Sequence, residues 1–467
     1  MSILEWIVDK GNFLLWEYIL IYVLIGLGLY FSIRTKFVQV RLFPEMFRVI
    51  TEKKDGETGV SPFQAFTIST ASRVGTGNIT GVAIAIAIGG PGAVFWMWIV
   101  ALIGMATAFI ESTLAQVYKV RDGDSFRGGP AYYMQKALGN RGLGIAFSIL
   151  LLVSFGFIFN SVQANTIVAS FNNVFNWEKW MIGLVLVIFT AIIIFGGVHR
   201  IVRVTQVLVP VMAVLYILIA LYVIIVNFSE IPAVFSLIVE SAFGLNEVVG
   251  GAIGVAILQG VKRGLFSNEA GMGSVPNAAA TANVSHPAKQ GFVQSLGVFF
   301  DTIVICSATA FIIILAGLYD TGEHEGIVLT QNSLAVHVGE WAPYFLAIAI
   351  LFFAYSSIIG NYYYGETNIE FMNGNKIWLT LYRIGVLAMV FFGAMAKVDL
   401  VWNMADLFMG LMAILNLIVI FIIGKVAFKV LNDYVKQRKA GKNPEFHASS
   451  IPGLKGAECW EDESLRE

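Results

Sequence analysis

Two long apolar stretches of the chain are each interrupted by glycine and polar residues, and these interruptions constrain the fold more than any other feature. The first interruption reads SRVGTGNITG over residues 72–81, and the second reads QGVKRGLFSNEAGMG over 259–273. Backbone that leaves helical geometry at membrane depth is tolerated only where it lines a cavity or is buried in protein. We therefore expect two broken helices whose breaks face the protein interior.

The composition is that of a chain that crosses a bilayer many times. Hydrophobic residues make up 57% and charged residues 13% of the chain, whereas ordinary globular domains carry about 25% charged residues. About eleven apolar segments are long enough to span, at roughly 17–25 residues each. They lie near 14–34, 62–89, 92–118, 143–170, 179–197, 205–227, 248–282, 290–318, 341–365, 376–395 and 402–424.

Basic residues sort the loops between these segments into two classes. They cluster after the odd-numbered spans, for example Arg34, Lys36, Arg41, Lys119, Arg121, Arg127, Arg200, Arg203, Lys289, Lys376, Lys425 and Lys429. The loop from 319 to 340 instead carries Asp320, Glu323, Glu325 and Glu340 and no basic residue. The positive-inside rule then predicts a cell-membrane (plasma or inner membrane) protein with its N-terminus outside and its C-terminus in the cytoplasm.

The positions of the two breaks predict the architecture. They fall in the second and seventh spans, which run in opposite directions because the offset is odd. Residues 62–227 and 248–424 are then inverted repeats about an axis in the membrane plane, an all-α, leucine-transporter-type (LeuT-type) five-plus-five arrangement. Residues 1–34 form an extra span, 35–61 a basic cytoplasmic segment, and 425–467 a cytoplasmic tail. A matched pair of interrupted spans is typical of the binding site of a secondary transporter.

The first break offers partners for both an anion and a cation. Glycine at Gly75 and Gly77 lets the backbone approach a ligand closely, and Thr76 and Asn78 add polar groups. The half-helix after the break presents free N–H groups to a carboxylate. The half-helix before it ends in free carbonyls that suit a hard cation such as sodium. The alternative is a packing motif, since glycine is common in membrane helices.

The second break carries more polar residues. Gln259 and Gly260 follow an apolar run and are expected near the midplane, in contact with substrate. Arg263 and Glu269, together with Arg73, are expected in ion pairs that close the inner side, because buried charges at membrane depth are costly and default to functional hypotheses. A solvated cytoplasmic loop is the alternative. Glu111 and Asp301 are expected in similar ion pairs, with a proton site at Glu111 as a second possibility.

Two further sets of polar residues interrupt later spans. Gln163 lies in mid-span and could bond a ligand carboxylate or amine, or else form a hydrogen bond between helices. The hydroxyls of Ser356 and Ser357 could complete a sodium shell with carbonyls of the second span. The alternative for both serines is bonding back to the preceding helical turn.

With these motifs in view, the sequence resembles the alanine/glycine:cation symporter family, the sodium–alanine symporters. The resemblance is carried by residues 72–79 (SRVGTGNI), 89–93 (GGPGA), 128–133 (GGPAYY), 260–274 (GVKRGLFSNEAGMGS) and 365–366 (GE). It implies sodium-coupled uptake of alanine, and of glycine or serine, through a LeuT-type fold. It also implies a substrate carboxylate on the N–H groups of Thr76 and Gly77. Sodium would then lie between the carbonyls of Ala71 and Val74 and the two serine hydroxyls.

Other functions fit the sequence less well. Proton coupling remains open beside sodium. An ion channel needs a continuous pore, whereas internal inverted repeats favour alternating access. No His-Glu-x-x-His or Gly-x-Ser-x-Gly motif is present, so we expect no enzyme and no organic cofactor. The net charge of -1 gives no indication of nucleic-acid binding, and the expected partners are a small neutral amino acid and the lipid bilayer, with no protein partner.

Overall fold

The computed structural model describes residues 3–56, 58–196, 198–245, 253–322 and 326–461. Within these ranges the chain is almost entirely helical, and β1 (Val120–Asp122) and β2 (Ser125–Arg127) form a small antiparallel hairpin. The predicted helical class is confirmed. The predicted start of the second repeat at 248, the loop residues Glu323 and Glu325, and the side chains of Arg200 and Arg203 lie outside the described part.

The helices follow one another with short connections. In chain order they are α1 (Glu5–Arg34), α2 (Val38–Arg41), α3 (Phe43–Ile50), α4 (Pro62–Arg73), α5 (Gly77–Gly89), α6 (Gly92–Val117), α7 (Pro130–Leu138), α8 (Arg141–Phe175), α9 (Lys179–Ile194), α10 (Val198–Val226), α11 (Ile231–Ala242), α12 (Ile253–Asn268), α13 (Pro276–Ala279), α14 (Ala288–Ala316), α15 (Gly326–Val338), α16 (Ala342–Met372), α17 (Lys376–Met395), α18 (Val398–Ile423) and α19 (Lys425–Lys439).

Seven of these helices are long and apolar enough to cross a bilayer: α1, α6, α8, α14, α16, α17 and α18. Among the described residues the number rises to 9 when each of two bent helix pairs counts as one span. The predicted count of about eleven also includes α9 and α12, which have 16 residues each and are shorter than a full span. That count stays a prediction.

The first predicted break is present between α4 and α5. Helix α4 begins with a capping box, in which the Ser61 hydroxyl and the Gln64 side chain each accept the other residue's backbone N–H. It ends at Arg73 because Val74 takes an extended conformation, with φ -78° and ψ 95°. The chain becomes helical again at Gly77, and the axes of the two halves differ by 52°.

The second break lies later in the chain than Gln259 and Gly260. Helix α12 continues through both residues to Asn268. The backbone then takes left-handed conformations at Glu269, Gly271 and Gly273 before the short helix α13. At Gly273, with φ 83°, a Cβ would also lie 2.7 Å from Pro130 Cγ, so glycine is required there for two independent reasons.

The residues after α18 pack against the helix bundle. Helix α19 begins at Lys425, where the tail was predicted to start. Beyond it, the Phe446 N–H donates to the Ser285 carbonyl at 2.9 Å, and Trp460 Nε1 donates to the Gln116 carbonyl at 2.8 Å. The predicted polar extension is therefore a packed segment in this fold.

Candidate functional site: the two helix breaks

Four of the residues singled out from the sequence meet at the first break. The Thr76 N–H donates to Gln163 Oε1 at 3.2 Å, which joins α8 to the break. A Cβ added at Gly75 would overlap Ser357 Oγ and lie 3.0 Å from Gln163 Oε1. Gly75, Thr76, Gln163 and Ser357 thus surround one buried point, with the Thr76 hydroxyl buried beside them and without a partner among the described residues.

Asn78 fastens the first break to two other helices. Its Oδ1 accepts the Gly75 N–H at 2.9 Å, and its Nδ2 donates to Asp301 Oδ1 at 2.7 Å and to Ser267 Oγ at 2.9 Å. Ser267 also donates to Asp301 Oδ2 at 2.6 Å. Because both ends of the Asn78 amide already have partners, this side chain fixes the shape of the break. The expected ion pair of Asp301 is absent among the described residues, and neutral donors surround its carboxylate instead.

Gly77 lies where the two broken helices touch. A Cβ there would lie 2.9 Å from Phe266 Cδ1 and 3.2 Å from Ser267 Cα of α12. Phe266 stands in an aromatic row, with ring centroids 4.6 Å from Phe159 and 4.7 Å from Trp402. The row forms an apolar wall beside the polar groups of the break.

The predicted sodium ligands are brought together only in part. Ser357 Oγ is 3.5 Å from the Val74 carbonyl and 3.1 Å from the Phe353 carbonyl of its own helix. Ser356 Oγ donates to Phe353 at 2.8 Å and so bonds back to the preceding turn. Ala71 lies buried within α4, one turn before the break. Val74 and Ser357 supply two neighbouring oxygen donors of the kind that hard cations take.

The three charges expected at an inner gate do not form one cluster. The Arg73 guanidinium donates from Nη1 to the Gln294 carbonyl at 3.3 Å. Glu269 accepts from the hydroxyls of Ser72 at 2.8 Å and Ser274 at 2.6 Å. No ion pair joins Arg73 to Glu269 among the described residues. The hydrogen bonds given for Arg73 and Glu269 therefore go to neutral groups, in place of the ion pairs expected for them.

Arg263 lies on the other side of the first break from Arg73. Its Nη2 is 2.5 Å from Asp406 Oδ2 of α18, and Lys262 Nζ is 3.6 Å from the same oxygen. The cavity beside this pair is lined by the last turn of α5 and the first turns of α18, which the predicted topology places at the outer side. In that orientation the Arg263–Asp406 pair lies toward the outer side, so this geometry does not support the prediction of Arg263 as an inner-gate residue.

Gln259 and Gly260 lie away from the Gln163 side of the site. A Cβ at Gly260 would lie 2.5 Å from the Ala93 carbonyl and 2.6 Å from Trp96 Cβ, so this glycine allows α12 to pack closely on α6. The Gln259 side chain lines the cavity next to Arg263. Within an unbroken part of α12, Gly260 therefore forms a close helix contact and Gln259 forms part of a cavity wall.

Sequence reasoning named Glu111 but not its role at the second break, and it missed Asn416 and Asn361. Glu111 of α6 accepts the N–H groups of Gly271 at 3.0 Å and Gly273 at 3.1 Å, and Asn416 donates to the same carboxylate at 2.9 Å. The expected ion pair of Glu111 is thus replaced by backbone and amide donors. Asn361, which was also missed, has its side-chain oxygen 2.7 Å from Ser72 Oγ. The available signal was their polarity within apolar spans.

Comparisons with known proteins give the family of this chain. The model of the sodium:alanine symporter family matches residues 1–448. "Amino-acid carrier protein AlsT" of Bacillus subtilis is 61% identical, with 96% of each chain covered. "Probable sodium/glutamine symporter GlnT" of the same organism is 56% identical over 98% of this chain and 96% of its own. The "Sodium/proton-dependent alanine carrier protein" of Bacillus sp. PS3 is 39% identical over 89% and 97%.

A solved structure shares the fold. A mutant of the Eremococcus coleocola manganese transporter superposes with a TM-score of 0.53 at 14% identity, covering 81% of each chain. At that identity the likeness concerns the helical architecture alone. The family match spans nearly the whole length of the sequence and includes both helix breaks. The chain belongs to the sodium:alanine symporter family.

Proposed function

We propose that the protein takes up a small neutral amino acid, alanine above all, together with sodium, and that it does so by alternating access. The observation that carries the proposal is the meeting of Thr76, Gln163 and Ser357 at the first helix break. Backbone donors, an amide and a hydroxyl converge there in a buried place. Such convergence at a discontinuous membrane helix is typical of carriers.

The substrate carboxylate is placed on the N–H groups of Thr76 and Gly77. Thr76 N–H now bonds Gln163 Oε1, so a carboxylate would displace that oxygen and leave the Gln163 amide free to bond the ligand. The unpartnered Thr76 hydroxyl adds one more group for it. The contact of Gly77 with Phe266 leaves little room beside the carboxylate, which favours small side chains. Gln259 and Gly260 lie away from this position and are not expected to contact a substrate held there.

Sodium is the proposed coupling ion, on the Val74 carbonyl and the Ser357 hydroxyl. The extended backbone at Val74 turns its carbonyl away from regular helical bonding, and Ser357 approaches it at 3.5 Å. Proton coupling is the alternative, since one relative is described as sodium/proton-dependent. No enzyme activity or organic cofactor is part of the proposal.

The proposed architecture is the five-plus-five inverted repeat, with 62–227 and 248–424 as the repeats and about eleven spans in all. The N-terminus lies outside and the C-terminus in the cytoplasm. The two breaks, at 74–76 and 269–275, fall in corresponding helices of the two repeats. Rocking of one set of helices about these breaks would open the site to each side in turn.

Uptake into proteoliposomes tests the proposal. We expect saturable uptake of labelled alanine that requires an inward sodium gradient and is inhibited by glycine or serine. Glutamine is included as a competitor because of the relative GlnT. Uptake driven equally well by a proton gradient in the absence of sodium would establish the alternative ion, and an ohmic current would indicate a channel.

A pair of variants in α8 tests the site itself. Gln163→Ala should weaken alanine binding by about ten- to hundredfold, because a polar group of the ligand is left unpaired at a cost of about 1–3 kcal/mol. Asn165→Ala is the matched control, since Asn165 bonds the carbonyls of Gly393 in α17 and of Ala396 just after that helix. Unchanged affinity in Gln163→Ala would assign Gln163 to helix packing alone.

A further inference from the structure

We propose that the protein has a second binding site for a zwitterionic α-amino acid, in the cavity beside Arg263. The cavity has a volume of about 290 Å³ and lies between α5, α12 and α18. Its polar lining includes Gln259, Lys262, Arg263, Asp399, Trp402 and Asp406. The inference rests on the proposed amino-acid transport and adds a site that is separate from the Thr76–Gln163 position.

Unpartnered polar atoms are concentrated in the wall of this cavity. Arg263 Nε and Nη1 and Trp402 Nε1 are buried donors without an acceptor among the described residues. Gln259 Oε1 and Asp406 Oδ1 are buried acceptors there without a donor. Buried polar groups in proteins are normally hydrogen-bonded, so a concentration of them in one cavity indicates a place built to bind something polar.

The mixture of groups selects the class of ligand. Of these unpartnered atoms, a bound anion could accept hydrogen bonds only from those of Arg263 and Trp402. A bound cation could be held only by the oxygens of Gln259 and Asp406. An α-amino acid carries both a carboxylate for the donors and an ammonium group for the acceptors. Among the described lining residues, the four charged side chains, Lys262, Arg263, Asp399 and Asp406, sum to no net charge, which matches a ligand that is itself neutral overall.

The cavity lies next to the first break. A Cβ added at Gly81 would lie 3.6 Å from Trp402 Cη2, 3.8 Å from Arg263 Cδ and 3.9 Å from the Thr76 carbonyl. Trp402 belongs to the aromatic row that borders the central site, and the Arg263 guanidinium stacks 4.8 Å from its ring. Trp402 and Arg263 therefore pack against α5 close to the first break. The second site therefore lies on the route from the predicted outer surface to the central one.

Binding stoichiometry tests the inference. Labelled alanine is titrated against purified protein in lipid nanodiscs, and we expect two molecules per chain in the unmodified protein. The double variant Arg263→Gln/Asp406→Asn removes both charges together, so that neither is left buried alone. It should bind one molecule per chain. Gln163→Ala changes the Thr76–Gln163 position and should retain binding in the cavity beside Arg263.

A control pair of substitutions shows whether the loss of one bound molecule is specific to this cavity. Arg127 and Glu370 form an ion pair with a 2.6 Å separation away from this cavity, and Arg127→Gln/Glu370→Gln should still bind two molecules. One molecule per unmodified chain, together with sodium-dependent uptake, would overturn the second site and leave the proposed function standing. Absence of both alanine binding and uptake would refute the proposed function itself.

Thiol protection supplies a test that does not depend on counting. Asn403 lines the cavity and is exposed, so Asn403→Cys places a reactive thiol at its rim. In the Gln163→Ala background, alanine at ten times its dissociation constant should slow labelling by an impermeant thiol reagent about tenfold, by simple occupancy. Labelling at the same rate with and without alanine would overturn the proposal. The Cys459→Ala background removes the other partly accessible cysteine.

Discussion

At the scale of the residue, the adjacent serines Ser356 and Ser357 differ in the carbonyls that their hydroxyls contact. Both hydroxyls bond the Phe353 carbonyl, but only Ser357 also approaches Val74. Ser357→Ala should therefore raise the sodium concentration needed for half-maximal uptake roughly tenfold, equivalent to about 1.4 kcal/mol. Ser356→Ala is the control and should leave it unchanged. Equal sodium activation in both variants would place the ion elsewhere.

Gly77 allows the closest approach of the two broken helices. Gly77→Leu would force a side chain against Phe266 and Ser267 and into the position proposed for the substrate carboxylate. We expect an inserted protein that binds no alanine. Gly254→Leu in α12 is the control, because a Cβ at Gly254 meets nothing within 4 Å. Alanine binding by both variants at equal affinity would remove the carboxylate from this position.

At the scale of the element, the irregular segment after α12 is held by Glu111 from another helix. Glu111→Ala would leave the N–H groups of Gly271 and Gly273 without their acceptor, at about 1–3 kcal/mol each. A lower thermal unfolding midpoint in detergent is expected. Glu111→Gln keeps one oxygen acceptor and should lose less. Ser112→Ala, whose hydroxyl has no partner in the described part of the chain, should match the unmodified protein, and an equal midpoint for Glu111→Ala would contradict this role.

The same segment explains where sequence reasoning succeeds and where it ends. The break at Val74–Thr76 was predictable because glycine, polar residues and an apolar frame all lie within a few positions. The break at 269–275 depends on Glu111, about 160 positions earlier in the chain, and Arg263 depends on Asp406, which follows it by 143. Partners so distant leave no local pattern, so the sequence predicts an interruption within 259–273 but not that α12 continues through Gln259 and Gly260 to Asn268.

At the scale of the whole molecule, the segment after α19 ties the helix ends together. It contacts the end of α6 through Gln116 and the start of α14 through Ser285. Lys289 Nζ reaches both Glu52 at 2.7 Å and Asn443 at 3.0 Å, and so links the early basic segment to the tail. By the predicted topology, this assembly closes the cytoplasmic face. Its stability should therefore respond to the charge state of groups buried within it.

His286 is such a group, and it predicts how stability depends on pH. The Ala288 N–H donates to His286 Nδ1 at 3.2 Å, and Nε2 is 3.2 Å from Asp433 Oδ2, a pattern that fits the neutral ring. Burial lowers the pKa of His286. Because the unfolded chain then binds the proton more readily, the protein should lose stability as pH falls below about 6.5, by up to about 1.4 kcal/mol per pH unit. Thermal unfolding measured across this range checks it, and His286→Gln should flatten the slope.

The hydrogen bond from His286 lowers the pKa of Asp433, so the stability due to Asp433 is lost only below the usual carboxylate range. Asp433→Asn should consequently keep the slope near pH 6, and a slope unchanged in His286→Gln would assign it to another group.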